Sequence, residues 1–158
     1  MKRILVTGAN KGIGLATVEK LLQNHPDTFL ILGSRDEKRG DEALGLLTSK
    51  EPKWSDRLMM LAIDVSSDES VNMAAEKIDS GFQTEAKPLC GIINNAGIGS
   101  SSIGLEPTLQ VNTWGIHRVC EAFIPLLEAS GRIVNVTSAA GPNFVEAADD
   151  VTRNLLID

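Results

Sequence analysis

Residues 6–14 read Val6-Thr7-Gly8-Ala9-Asn10-Lys11-Gly12-Ile13-Gly14 and join an apolar run to a helical periodicity. Glycines at 8, 12 and 14 in a strand-to-helix turn suit one chemical task. A phosphate pair can approach backbone N–H groups at a helix N-terminus, where the dipole favours negative charge. Side chains at the turn would block that approach. Gly8, Asn10, Lys11, Gly12, Ile13 and Gly14 are therefore the candidate phosphate-binding residues. The spacing is not G-x-G-x-x-G, and a plain glycine-containing loop is the alternative.

Other side chains able to do chemistry are few. His25 and His117 are far apart and lack ligand spacing, so no metal site is expected. Cys90 lies in an apolar run and reads as a core residue. Trp54 lies in a charged loop, and Trp114 reads as packing within a long helix. The chain contains no tyrosine, so no step needing a phenolic hydroxyl can run on these residues alone.

The elements that would position the turn alternate along the chain. Apolar runs at 3–7, 28–32, 58–63, 89–94 and 132–136 read as strands. Helical stretches fall at 13–23, 36–48, 67–80 and, as one long helix, 109–129. In the first, Ile13, Ala16, Thr17 and Leu21 recur at helical spacing. Residues 49–56 read as a loop. Ser67 can cap the third helix, with Ser70 as a competitor. The order βαβαβαβαβ predicts an α/β fold with a doubly wound parallel sheet, because parallel neighbours need crossovers.

Composition narrows the classes further. One hundred and fifty-eight residues are enough for one domain. A formal charge of −6 supplies no positive excess for nucleic acid or an anionic membrane. No apolar run approaches the roughly 20 residues that span a bilayer. Two cysteines make no disulfide framework, so a reducing, cytoplasmic setting is the default.

Taken together, Thr7-Gly8-x-x-x-Gly12-Ile13-Gly14, Asp64-Val65, Asn94-Asn95-Ala96-Gly97, Val111-Asn112 and Val134-Asn135-Val136-Thr137-Ser138 resemble the ordered motifs of the short-chain dehydrogenases/reductases. The stretch Asn10-Lys11-Gly12-Ile13-Gly14-Leu15-Ala16 is most similar to the carbonyl-reductase branch, whose members are largely NADPH-dependent. The resemblance implies a Rossmann-like sheet of order 3-2-1-4-5 over residues 1–138. It implies NADP as cofactor and a small-molecule carbonyl substrate. Asp64, beside the Val65 backbone, would accept from the adenine amino group. Asn95 would lie against the ribose, with Ala96 and Gly97 letting the chain pass close.

Charge at the end of the second strand agrees with a phosphorylated cofactor. A carboxylate there favours a free ribose 2′-OH, whereas an arginine favours the 2′-phosphate. Arg35 offers a planar fork of donors, and Lys11 adds a second charge nearby. Asp36 is either the N-cap of the next helix or, one residue slipped, a neighbour of the ribose.

By the same resemblance, catalysis needs a serine, an asparagine and a Tyr-x-x-x-Lys pair. Ser138 and Asn112 match the first two. The pair would fall near Val151 and Leu155, which cannot serve. Residues 139–158 resemble the start of a helical or loop insertion, expected to be poorly ordered. The chain is thus expected to carry the cofactor half of an NADPH-dependent carbonyl reductase, truncated before the pair, incomplete at its C-terminal side and impaired in catalysis. A non-catalytic NADP(H)-binding module or an inert truncated isoform is the alternative. An unpaired fifth strand and a long helix showing Val119, Phe123 and Leu126 would leave it weakly stable or self-associating.

Overall fold

Parallel strands covered on both faces need near-continuous apolar runs, and Leu30, Ile31 and Leu32 are all fully inaccessible to solvent. The structure, a computed structural model, describes residues 1–83, 87–99 and 103–157. Its strands are β1 (Lys2–Val6), β2 (Thr28–Ser34), β3 (Leu58–Ala62), β4 (Leu89–Asn94) and β5 (Leu127–Asn135). They form one sheet in the order β3-β2-β1-β4-β5, and every neighbouring pair is parallel. Val6 sits opposite Leu32 on one side and Ile93 on the other.

Helices cover both faces of this sheet. On one, α1 (Gly12–Asn24) and α2 (Glu37–Lys50) bury Val18, Leu22, Ala43 and Leu47 against Val6, Leu30 and Leu32. On the other, α3 (Asp68–Gly81) and α5 (Trp114–Phe123) bury Val71, Ile78, Val119 and Phe123 against Leu5, Ile31, Leu61 and Ile92. No helix among the described residues is long and apolar enough to cross a membrane.

Several boundaries differ from the sequence expectation. The buried stripe of α1 is Gly14, Val18 and Leu22, while Ile13 is 69% exposed. The expected long helix is two helices, α4 (Leu105–Asn112) and α5, broken at Thr113. It stops at Phe123 because Pro125 cannot continue it. Val119, Phe123 and Leu126 are core residues, not exposed ones; Leu105, Leu109, Trp114 and Ile124 are exposed apolar side chains of that region. Trp54 is buried with α1 and α2 because residues 52–57 form a 3-10 turn rather than an open loop. β5 begins five residues early, and its pairing jumps from Leu89–Leu127 to Gly91–Arg132 across an irregular stretch. Beyond it, α6 (Ala140–Ala147) and α7 (Asp150–Ile157) pack on each other.

Arg57 ties this scaffold together at the end of the sheet opposite the glycine turn. Its guanidinium donates to the carbonyls of Leu22 at 2.9 Å, His25 at 3.0 Å and Thr28 at 3.0 Å. Those carbonyls close α1 and open β2, so one side chain satisfies three chain-end acceptors. Charged donors make the stronger hydrogen bonds. Arg57→Ala should lower the unfolding free energy by about 2 kcal/mol, read as a shifted denaturant midpoint with an unchanged slope.

Candidate functional site

The carboxyl ends of β3, β2, β1 and β4 open into one cleft of about 400 Å³. That end of a doubly wound sheet, where crossovers diverge between β1 and β4, is where such folds bind ligands. The lining includes Gly8, Asn10, Lys11, Gly12 and Ile13 from the glycine turn. Arg35, Asp36 and Arg39 follow β2, and Ile63, Asp64 and Val65 follow β3. Asn95, Ala96, Gly97 and Ile98 follow β4, and Val111 of α4 closes the wall.

Two glycines of the turn hold left-handed backbone. Gly8 has φ +63° and Gly12 φ +58°, a region that side chains disfavour. At Gly8 space is also lacking: a Cβ would stand 2.7 Å from the Cα of Ala96. Gly14 is needed for packing alone, since a Cβ there would meet Asn95 Nδ2 at 2.4 Å and the Gly8 carbonyl at 2.6 Å.

Thr7 and Asn95 clasp the turn to the end of β4. Thr7, almost wholly buried, accepts at Oγ1 from the N–H groups of Asn95 and Ala96, both at 3.0 Å. Asn95 Nδ2 donates back to the carbonyls of Thr7 at 3.0 Å and Gly8 at 3.1 Å. The family resemblance implies that Asn95 lies against a ribose. The structure brings it to the cleft, with its amide nitrogen bonded to the turn.

Helix caps separate the helices that follow β1, β2 and β3. Asp36 caps α2, accepting from Arg39 N at 3.0 Å, and so takes the first of its two expected roles. Ser67 caps α3 through Ser70 N at 3.2 Å, while Ser70 Oγ accepts from Asp64 N at 2.9 Å. α1 starts after an extended Lys11, with no side-chain cap and no acidic residue in its first turn. Its first N–H groups have no partner within the helix. The donors, the dipole and the open space at Gly12, whose Cβ would meet nothing within 4 Å, fit a phosphate pair.

Charges gather around one end of the cleft. Lys11 lines it, and Arg35 and Arg39 stand with side chains 68% and 64% exposed. Asp36 Oδ2 pairs with Arg39 Nε at 3.4 Å, and Asp64 Oδ2 faces Arg35 Nε at 4.0 Å. The other Asp64 oxygen accepts from Ser66 N at 2.9 Å and Ser66 Oγ at 2.6 Å. Thr7 and Arg39 were not singled out from sequence. Thr7 stood inside the quoted motif, and Arg39 lies three residues past the cap at Asp36, which places it on the first turn of α2.

The two expected catalytic side chains lie outside the cleft lining. Asn112, beside the α4–α5 break, is bonded at both ends of its amide to Ile98: Oδ1 accepts from N at 2.9 Å and Nδ2 donates to O at 2.8 Å. It therefore fixes the loop that walls the cleft. Ser138 follows β5, is exposed, and accepts from Ala140 N at 3.1 Å. Residues 100–102 lie outside the described residues.

Comparison with known proteins agrees with this geometry. Residues 2–148 match the short chain dehydrogenase family. D-beta-hydroxybutyrate dehydrogenase, mitochondrial, of Bos taurus is 35% identical over 149 residues, covering 89% of this chain and 42% of that protein. Carbonyl reductase [NADPH] 1 of Rattus norvegicus is 31% identical over 144 residues, 85% of this chain and 48% of its own. The structure of NADPH-bound carbonyl reductase from chicken fatty liver superposes with a TM-score of 0.73 at 27% identity, covering 98% and 68%. The chain spans about half the length of the curated relatives it matches.

Thr7→Val keeps the shape of the clasp and leaves two backbone donors unsatisfied. It should destabilise the fold by about 2 kcal/mol, measured by denaturant titration. Gly14→Ala should displace Asn95 and abolish nucleotide binding while the far-ultraviolet spectrum stays native.

Proposed function

The chain belongs to the short-chain dehydrogenase family, and from that premise we propose that its cleft binds NADP(H) for the reduction of a carbonyl compound to an alcohol. One observation carries the reading: the uncapped start of α1 opens into a cleft that Lys11, Arg35 and Arg39 also line. The first-turn amides of α1, with Gly8 and Gly12 beside them, would hold the pyrophosphate. Arg35, Lys11 and Arg39 would meet the 2′-phosphate, because three cations around one site favour a dianion over a neutral hydroxyl. Asp64 and Val65 would flank the adenine, and Asn95, Ala96 and Gly97 the ribose.

When bound, the nicotinamide supplies the hydride. The chain's own residues position the reacting partners. Asn112 holds the Ile98 loop at the cleft wall, and Ser138, at the end of β5, is the proposed hydroxyl that orients the substrate oxygen. The setting proposed is cytoplasmic. A second reading, NADP(H) binding without turnover, is favoured by one fact: none of the 158 residues is a tyrosine, so the proton donor implied by the family resemblance is not among them.

Nucleotide titration followed by NADPH fluorescence tests the binding step. The expected result is NADPH bound more tightly than NADH. Arg35→Ala and Lys11→Ala should each weaken NADPH about tenfold, the size of one charge-assisted contact, and leave NADH nearly unchanged. Equal affinity for the two nucleotides would overturn the assignment of the cationic end.

A further inference from the structure

We infer that Asp64 sets the preference for a phosphorylated nucleotide by holding Arg35 in place, in addition to any contact it makes with adenine. The inference rests on the NADP(H) reading above. Two arginines and two aspartates ring the phosphate end, and they divide into separate pairs. Asp36 is occupied by Arg39, through Oδ1 to the backbone N–H and through Oδ2 to Nε. Asp64 is the carboxylate left for Arg35.

Asp64 is a fixed platform. Its backbone N–H is bonded to Ser70 Oγ, and its Oδ1 accepts twice from Ser66. Its side chain is 30% exposed against 68% for Arg35. Among the described residues nothing hydrogen-bonds the Arg35 guanidinium, and its ion pair is with Asp64. Arginine has many rotamers to lose on meeting a ligand. A carboxylate beside Nε narrows them and leaves the Nη1/Nη2 edge as a free fork for a phosphate. Asp64 touches no phosphate in this role; it is a positioning residue.

The test is a double-mutant cycle on the full chain, reading dissociation constants for NADPH and NADH. Asp64→Asn retains the Oδ1 acceptor for Ser66 and removes the charge. It should lower the NADPH-over-NADH ratio about two- to fivefold, the range of an exposed ion pair. In an Arg35→Ala background the same substitution should leave the ratio unchanged. Ser66→Ala, which loosens the carboxylate, should move the ratio in the same direction and serves if Asp64→Asn does not fold. Equal weakening of both nucleotides would show that Asp64 acts on the shared adenosine, and would overturn the inference alone. A rise in the ratio would show that Asp64 repels the phosphate, and would overturn it too. An unsubstituted chain that binds neither nucleotide, or both alike, overturns the underlying reading and the inference with it.

Discussion

Gly8 and Ala96 approach so closely that a single methyl group on residue 8 would lie within 2.7 Å of the opposing Cα. That contact is where β1 and β4, 87 or more residues apart in places, are pressed together at their carboxyl ends. The left-handed bend at Gly8, the reach of Asn95 across to two carbonyls and the two bonds accepted by Thr7 all follow from it. A buried polar clasp is stabilising only when its members are satisfied, and here the backbone donors of Asn95 and Ala96 both are. The start of α1 is aimed into the cleft because the turn before it has nowhere else to go.

Capping supplies the second half of the arrangement. Of the helices that follow β1, β2 and β3, two are closed by their own side chains, Asp36 and Ser67. The third is left open behind a lysine, where a cation is disfavoured by the helix dipole unless an anion joins it. A chain with a formal charge of −6 thus concentrates cations at one rim. The local field at that rim, not the net charge, is what an incoming anion meets at distances within a Debye length of about 8 Å.

The five strands and the glycine turn are legible in the sequence because both depend on local signals, whereas the order of the strands rests on the family resemblance. Apolar runs mark strands buried on two faces, and glycines at 8, 12 and 14 mark a turn that side chains cannot make. Arg35 is marked by its place after the second strand, and Asp64 by the family resemblance. What escaped depended on tertiary contact. The amide of Asn112 is bonded to Ile98, fourteen residues earlier, a pairing that periodicity cannot show. Trp54 was read as a loop residue because its neighbours are charged, and only the packing of α1 and α2 over the 3-10 turn buries it. The break at Thr113 and the stop before Pro125 were overlooked because an apolar stripe of helical period runs through both.

The order β3-β2-β1-β4-β5 also separates pairings between strands near in sequence from one between strands far apart. β1, β2 and β3 are contiguous within the first 62 residues and can pair as soon as they emerge. One edge of β1 then stays open until β4 has been made, since its second partner runs only to Asn94. Parallel pairing across so long a loop is slow, and an open edge is a template for the wrong strand. A sheet of β1, β2 and β3 alone leaves one edge of β1 uncovered, and with it the cleft that β4 completes. The last docking event to close that edge is the one that creates the site.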